Sequence, residues 1–125
     1  MDFIERMRAG QEVCCTDEDN GPFMEAMDRA HVLCDRFNTP GTSPEERFSI
    51  LDDLFGYEVD RGSIINPSLH CDLGINIKLG KAVKINYDCV ILDCSTVTIG
   101  DYTMIGPGVQ IITPNHPMDP MARRR

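Results

Sequence analysis

Long apolar runs are missing from this chain: nowhere do the roughly 18 hydrophobic residues needed to span a bilayer follow one another. The opening Met-Asp-Phe-Ile-Glu-Arg lacks the basic-then-apolar profile of a secretory signal. Basic charge is also short. Twelve Lys and Arg stand against twenty Asp and Glu, a formal net charge of −8 with a pI near 4.7, and a surface of that sign repels a phosphate backbone. These absences predict a soluble, cytoplasmic protein with no membrane and no nucleic-acid partner. Metal-chelating spacing is absent too: none of the six cysteines (Cys14, Cys15, Cys34, Cys71, Cys89, Cys94) forms a Cys-x-x-Cys pair, and adjacent residues such as Cys14 and Cys15 do not readily turn both thiolates onto one tetrahedral zinc. No metal is expected, and in a reducing compartment no disulfide framework. Cys34 and Cys89 read as small core residues, and Cys14–Cys15 as a pair in a loop.

What is present divides in two. With 125 residues, 42% of them hydrophobic, the chain supports one modest core. Up to about residue 56 the apolar pattern has a helical period. Phe3 and Met7 suggest a short helix ending near Ala9-Gly10. After the acidic turn 16–22, Phe23, Met27, Ala30, Cys34 and Phe37 fall at steps of four, three, four and three, which places them on one helix face. A third helix opens at Ser43-Pro44-Glu45-Glu46, with Ser43 as cap, Pro44 in the first turn and Glu46 placed to complete a capping box; Phe48, Leu51, Leu54 and Phe55 form its apolar side and Gly56 ends it. Three short amphipathic helices cannot bury their own stripes, so they need a surface to sit on.

After Pro67 the period changes to six. Leu73, Leu79, Ile85, Ile91 and Val97 recur at that step, small or β-branched residues follow four positions later, and a second phase offset by two continues with Ile99, Ile105 and Ile111. A six-residue step fits neither a helix nor a hairpin; it fits one flat side of a prism, and three sides close one coil of a parallel β-helix with glycine, asparagine or aspartate at the corners.

The segments Arg8-Ala9-Gly10, Cys71-Asp72-Leu73-Gly74-Ile75-Asn76-Ile77, Asn86 to Asp93, Ile99-Gly100-Asp101, Gly106-Pro107 and Thr113 to Pro120 resemble, in order and spacing, the maltose and galactoside O-acetyltransferases. The resemblance covers nearly the whole chain. It implies a mainly β fold with an α-helical N-terminal region: three short helices in residues 1–57, then a left-handed parallel β-helix of hexapeptide repeats in 58–125. It further implies a homotrimer with active sites between subunits, acetyl-coenzyme A as donor cosubstrate and a hydroxyl of maltose, glucose or a related sugar as acceptor.

A sugar hydroxyl is a poor nucleophile near neutral pH, so attack on a thioester needs a general base within hydrogen-bond reach. His116 matches the family's catalytic histidine. Asp17, Asp72 and Asn86 match its sugar-contacting positions, and each has a plainer reading: a cap for the second helix, a turn residue and a corner residue. Asp93 is either a further sugar contact or a buried brace. Where the family pattern continues through further coils that carry most coenzyme A contacts, this sequence stops at Met121-Ala122-Arg123-Arg124-Arg125. The reading at this stage is a C-terminally truncated member, with no donor-site residue to name and the three arginines as a solvated tail. The alternative to catalysis is a trimer-forming interaction module.

Overall fold

The computed structural model describes residues 1–124. Three helices come first: α1 (Phe3–Arg8), α2 (Gly21–Phe37) and α3 (Pro44–Phe55). The expected stripe on α2 is largely the buried one, with Phe23, Ala30, Leu33, Cys34 and Phe37 inside. Met27 is only half-buried, and Leu33 takes part instead. Ser43 caps α3 by accepting from the Glu46 N–H at 3.1 Å, and Gly56 ends the helix at φ 84°. The reciprocal capping box forms on α1, where Asp2 accepts from Glu5 N–H and Glu5 from Asp2 N–H.

Eight short strands follow: β1 (Ile64–Ile65), β2 (Leu69–Cys71), β3 (Ile77–Leu79), β4 (Lys84–Ile85), β5 (Cys89–Leu92), β6 (Val97–Ile99), β7 (Met104–Ile105) and β8 (Gln110–Ile112), before a last turn of helix, α4 (Pro120–Arg123). By elements the fold is mostly β. Each strand pairs in parallel with the third one on, giving sheets β1-β4-β7, β2-β5-β8 and β3-β6. Every register is offset by 20 residues: Ile65 faces Ile85, which faces Ile105; Cys71 faces Ile91, which faces Ile111; Leu79 faces Ile99. The chain therefore visits three faces in turn and returns to the first.

Twenty residues are two more than three six-residue sides provide. The surplus sits between the second and third sheets, in the corners 72–76 and 93–96. Leu73 is consequently not a wall residue of the coil. It is fully buried in a separate cluster with Phe3, Phe23 and Cys94, against which Val13 and Ile75 pack. The two-residue phase offset falls on β6, whose Val97 and Ile99 both point inward, as Ile77 does on β3.

The helices sit on the coil. A single cluster joins Leu33, Cys34 and Phe37 of α2, Ile50, Leu51, Leu54 and Phe55 of α3, and Leu69, Cys71, Ile77, Val83, Ile85, Cys89 and Ile91 of the β region. At about 1.5–3 kcal/mol per large apolar side chain buried, this shared core outweighs any helix propensity. Gly74 marks how close the approach is: at φ 77°, an added Cβ would stand 2.5 Å from Leu54 Cδ1 and 2.6 Å from the Leu54 carbonyl oxygen. Gly74→Ala is therefore expected to cost about 2–3 kcal/mol, part left-handed strain and part overpacking. Urea denaturation measures it; a loss under about 0.5 kcal/mol would mean that α3 is not held against this corner.

The connection from α3 into β1 is latched by Asp52, which accepts from the Val59 N–H at 2.8 Å and from both Arg61 terminal nitrogens at 2.9 and 2.7 Å. The Arg61 hydrogen bond holds the Asp52 carboxyl below its usual range. A carboxylate favoured in the folded state adds stability above its unfolded pKa and loses it as pH falls through the lowered folded value. Asp52→Asn is thus expected to show a small stability deficit at pH 7 that closes in acid. Equal deficits at both pH values would show that the ion pair contributes nothing.

Candidate functional site

Asp93 organises the corner between the second and third sheets. Its residue is fully buried. Oδ1 accepts from the N–H groups of Asp72 and Leu73 at 3.1 and 2.9 Å, and Oδ2 from Asn76 N–H at 3.1 Å. Asn76 returns the contact, its side-chain amide donating to the carbonyls of Asp93 and Cys94 at 2.8 and 3.2 Å. Arg8, just before the turn that leaves α1, closes the network by donating to Asn76 Oδ1 at 2.6 Å. The eight-residue side of the coil leaves amides that no strand partner can satisfy, and a buried carboxylate satisfies three of them at once. Of the two readings open for Asp93, the geometry supplies the brace: both oxygens are occupied inside the wall. One turn further on, Thr113 stands in register with Asp93, and its hydroxyl accepts from Ser95 N–H at 3.0 Å while donating to the Leu92 carbonyl at 2.8 Å.

The outward part of that edge carries Asp72. It is half-buried, and its Oδ2 lies 3.1 Å from the Cys94 Sγ. Burial, then the hydrogen bond to Asp72, push the Cys94 thiol well up, so it stays protonated and donates to the carboxylate rather than acting as a nucleophile. Asp17 reaches the same region from the loop before α2. Its carboxylate accepts from Cys14 N–H at 3.0 Å and from Arg6 at 3.4 Å, and Arg6 also forks onto Asp19 at 2.7 and 2.9 Å. Asp17 does not cap α2; the residue in that place is Asn20, which makes no side-chain cap bond. Val13, packed against the Phe3–Phe23–Leu73–Cys94 cluster, holds this loop against the coil edge.

His116 lies four residues beyond the end of β8, the strand stacked in one sheet on β5 and β2, which run directly into Asp93 and Asp72. It is exposed, with its backbone N–H donating to Asn115 Oδ1 at 2.9 Å. Asn86 stands elsewhere, at the corner between β4 and β5, where its side chain accepts from Tyr87 N–H at 2.8 Å ahead of the left-handed Asp88 at φ 61°. Asp72 and His116 thus follow strands of the β2-β5-β8 sheet, while Asn86 follows β4 of the β1-β4-β7 sheet. Arg125, last of the three terminal arginines, lies outside the described residues. Among the described residues no three His, Cys, Asp or Glu side chains form a group able to hold a metal ion, and no helix is long and apolar enough to cross a membrane.

Sequence reasoning missed the Arg8–Asn76–Asp93 chain. Only the burial of an Asn and an Asp 17 positions apart reveals it; the signal available beforehand was the two-residue surplus that leaves corner amides needing acceptors.

No protein-family model matches the chain. Among curated proteins it is 42% identical over 121 residues to nodulation protein L of Rhizobium meliloti, covering 96% of this chain and 64% of that one. Among solved structures, a maltose O-acetyltransferase from Clostridium difficile superposes with a TM-score of 0.89 at 34% identity over 99% of this chain and 65% of its own. A galactoside acetyltransferase in complex with coenzyme A superposes with a TM-score of 0.86 at 30% identity over 99% of this chain and 60% of its own. The chain spans from about half to just under two thirds of the length of the curated relatives it matches first. Over nearly its whole length, through the helical front, the 20-residue coils and the loop carrying His116, this chain is similar to maltose and galactoside O-acetyltransferases.

Proposed function

We propose that the chain serves acetyl transfer from acetyl-coenzyme A to a hydroxyl of maltose, glucose or a related sugar, with His116 as general base. The observation that carries this reading is the position of His116: exposed, and four residues beyond β8, the strand stacked on β5 and β2, which are followed by the buried Asp93 and by Asp72. The imidazole takes the hydroxyl proton as oxygen attacks the acetyl carbonyl; the carbon–sulfur bond breaks, and the proton passes on to the departing thiolate. Asp17 and Asp72 are acceptor-orienting carboxylates in this reading, since a site that bonds a substrate hydroxyl rejects ligands that leave its polar groups unpaired. Asp93 serves them by fixing the Asp72 backbone.

The fold belonging to this reading is a left-handed β-helix for residues 58–125 beneath a helical domain of residues 1–57, assembled as a homotrimer. A trimer gives Asn86 a role that one chain does not, because the edge bearing Asn86 on one copy then faces the edge bearing His116 on another. The test is product mass analysis after incubating the folded chain with acetyl-coenzyme A and a panel of maltose, glucose and galactosides. A mono-acetylated sugar is expected. A folded, trimeric preparation that yields none overturns the catalytic reading and leaves the interaction module in its place.

A further inference from the structure

Cys34 on α2 and Cys71 at the end of β2 meet across the interface between the helical front and the coil. Their Sγ atoms are 3.5 Å apart, and the residues are 2% and 4% exposed. The two cysteines are 37 positions apart in sequence. Two observations separate this pair from ordinary core packing. The first is that the backbone around it is held independently: Asn38, one turn beyond Cys34, donates to the Leu69 carbonyl at 3.0 Å and accepts from the Leu69 N–H at 2.8 Å. The second is space. Both cysteines line a cavity of about 320 Å³ whose other walls include His31, Asp35, His70 and Asp72, room enough for a small polar reagent beside the pair.

We propose that Cys34 and Cys71 are an oxidisable dithiol which a small hydroperoxide entering this cavity converts to a disulfide stapling α2 to β2. Either thiol can donate across the Sγ–Sγ contact; with Cys71 as the donor, Cys34 is the thiolate and the first nucleophile. The Cys34 thiolate attacks one peroxide oxygen, the O–O bond breaks, and Cys34 becomes a sulfenic acid as water leaves with the thiol proton. The Cys71 sulfur then attacks the sulfenic sulfur, the S–O bond breaks, and a second water departs with the Cys71 proton. In sum two thiols and one hydrogen peroxide give one disulfide and two waters, the two electrons passing from sulfur to the peroxide. Closing from contact to a bond of about 2.05 Å asks each sulfur to move by less than about 1 Å, within the reach of side-chain rotation.

The test uses the folded full chain treated with stoichiometric hydrogen peroxide, alkylated under denaturing conditions and digested with trypsin without reductant. Trypsin places Cys34 in peptide 30–36 and Cys71 in peptide 62–78, each with one cysteine. The expected product is the cross-linked pair, about 2 Da lighter than the two peptides together, abolished by dithiothreitol, retained in a Cys15→Ser variant, and accompanied by a higher thermal midpoint than the reduced protein. Recovery of Cys34 and Cys71 as alkylated thiols, as separately over-oxidised residues, or in pairs with other cysteines would overturn the proposal.

Discussion

Asp93→Ala is expected to destabilise the protein by on the order of 3–5 kcal/mol and to lower its thermal midpoint by roughly 10–20 °C. The Asp93 carboxylate accepts from three backbone amides, two of them in contacts with no solvent exposure. Removing it strands those amides in a wall with no water to replace it, and each buried orphan costs about 1–3 kcal/mol. The damage reaches further, because Asn76 lines up on the same corner and Arg8 on Asn76, so the turn after α1 loses its anchor to the coil. Asp93→Asn keeps one acceptor oxygen and turns an amide donor toward the other amides, so it should fall between alanine and the native residue. Thermal and urea denaturation of the three proteins check the order. A loss below about 1 kcal/mol for alanine would mean that water or a rearranged corner replaces the carboxylate.

How far such a corner is legible beforehand depends on what reports it. The helices were readable, since Phe23, Ala30, Cys34 and Phe37 lie on one face and Ser43 and Gly56 punctuate α3 with residues chosen for backbone geometry. The parallel, repeating character of the β region was readable from the aliphatic steps. The 20-residue turn was not, although its trace is the phase offset between Val97 and Ile99. A strict six-residue count absorbed Leu73 into the wall, whereas that residue faces Phe3 and Phe23 across the helical front. Periodicity describes one chain segment at a time, and the surplus becomes visible only when strands pair across turns. For the site, His116, Asp17, Asp72 and Asn86 are named from motif resemblance; that Asp72 and His116 follow strands of one sheet and Asn86 a strand of another needs the strand pairing. The choice between ligand and brace for Asp93 needed burial. The Cys34–Cys71 contact had no sequence signal, because nothing in a spacing of 37 distinguishes two core cysteines that touch from two that do not.

His116→Ala is expected to reduce acetyl transfer by about 10²–10⁴-fold, the usual worth of a positioned general base. Because His116 is exposed and its imidazole makes no hydrogen bond among the described residues, the same substitution should leave the thermal midpoint within about 2 °C. That separation distinguishes it from Asp93→Ala, which removes activity by unfolding the edge. Base catalysis also sets the form of the loss: the turnover number falls while the Michaelis constant for the sugar changes little, since the imidazole acts on a proton in flight rather than holding the ground-state acceptor. Asp72→Asn and Asp17→Asn should show the converse, a raised Michaelis constant for the sugar.

The most direct measurement is the yield of acetylated sugar, read by mass spectrometry, from the native chain and His116→Ala side by side under conditions where both are folded and in the same oligomeric state. Acetylated product from the native chain that falls at least a hundredfold in the variant is the predicted result. Equal yields from the two would contradict the account, because acetyl transfer would then proceed without the group that the whole edge is proposed to position.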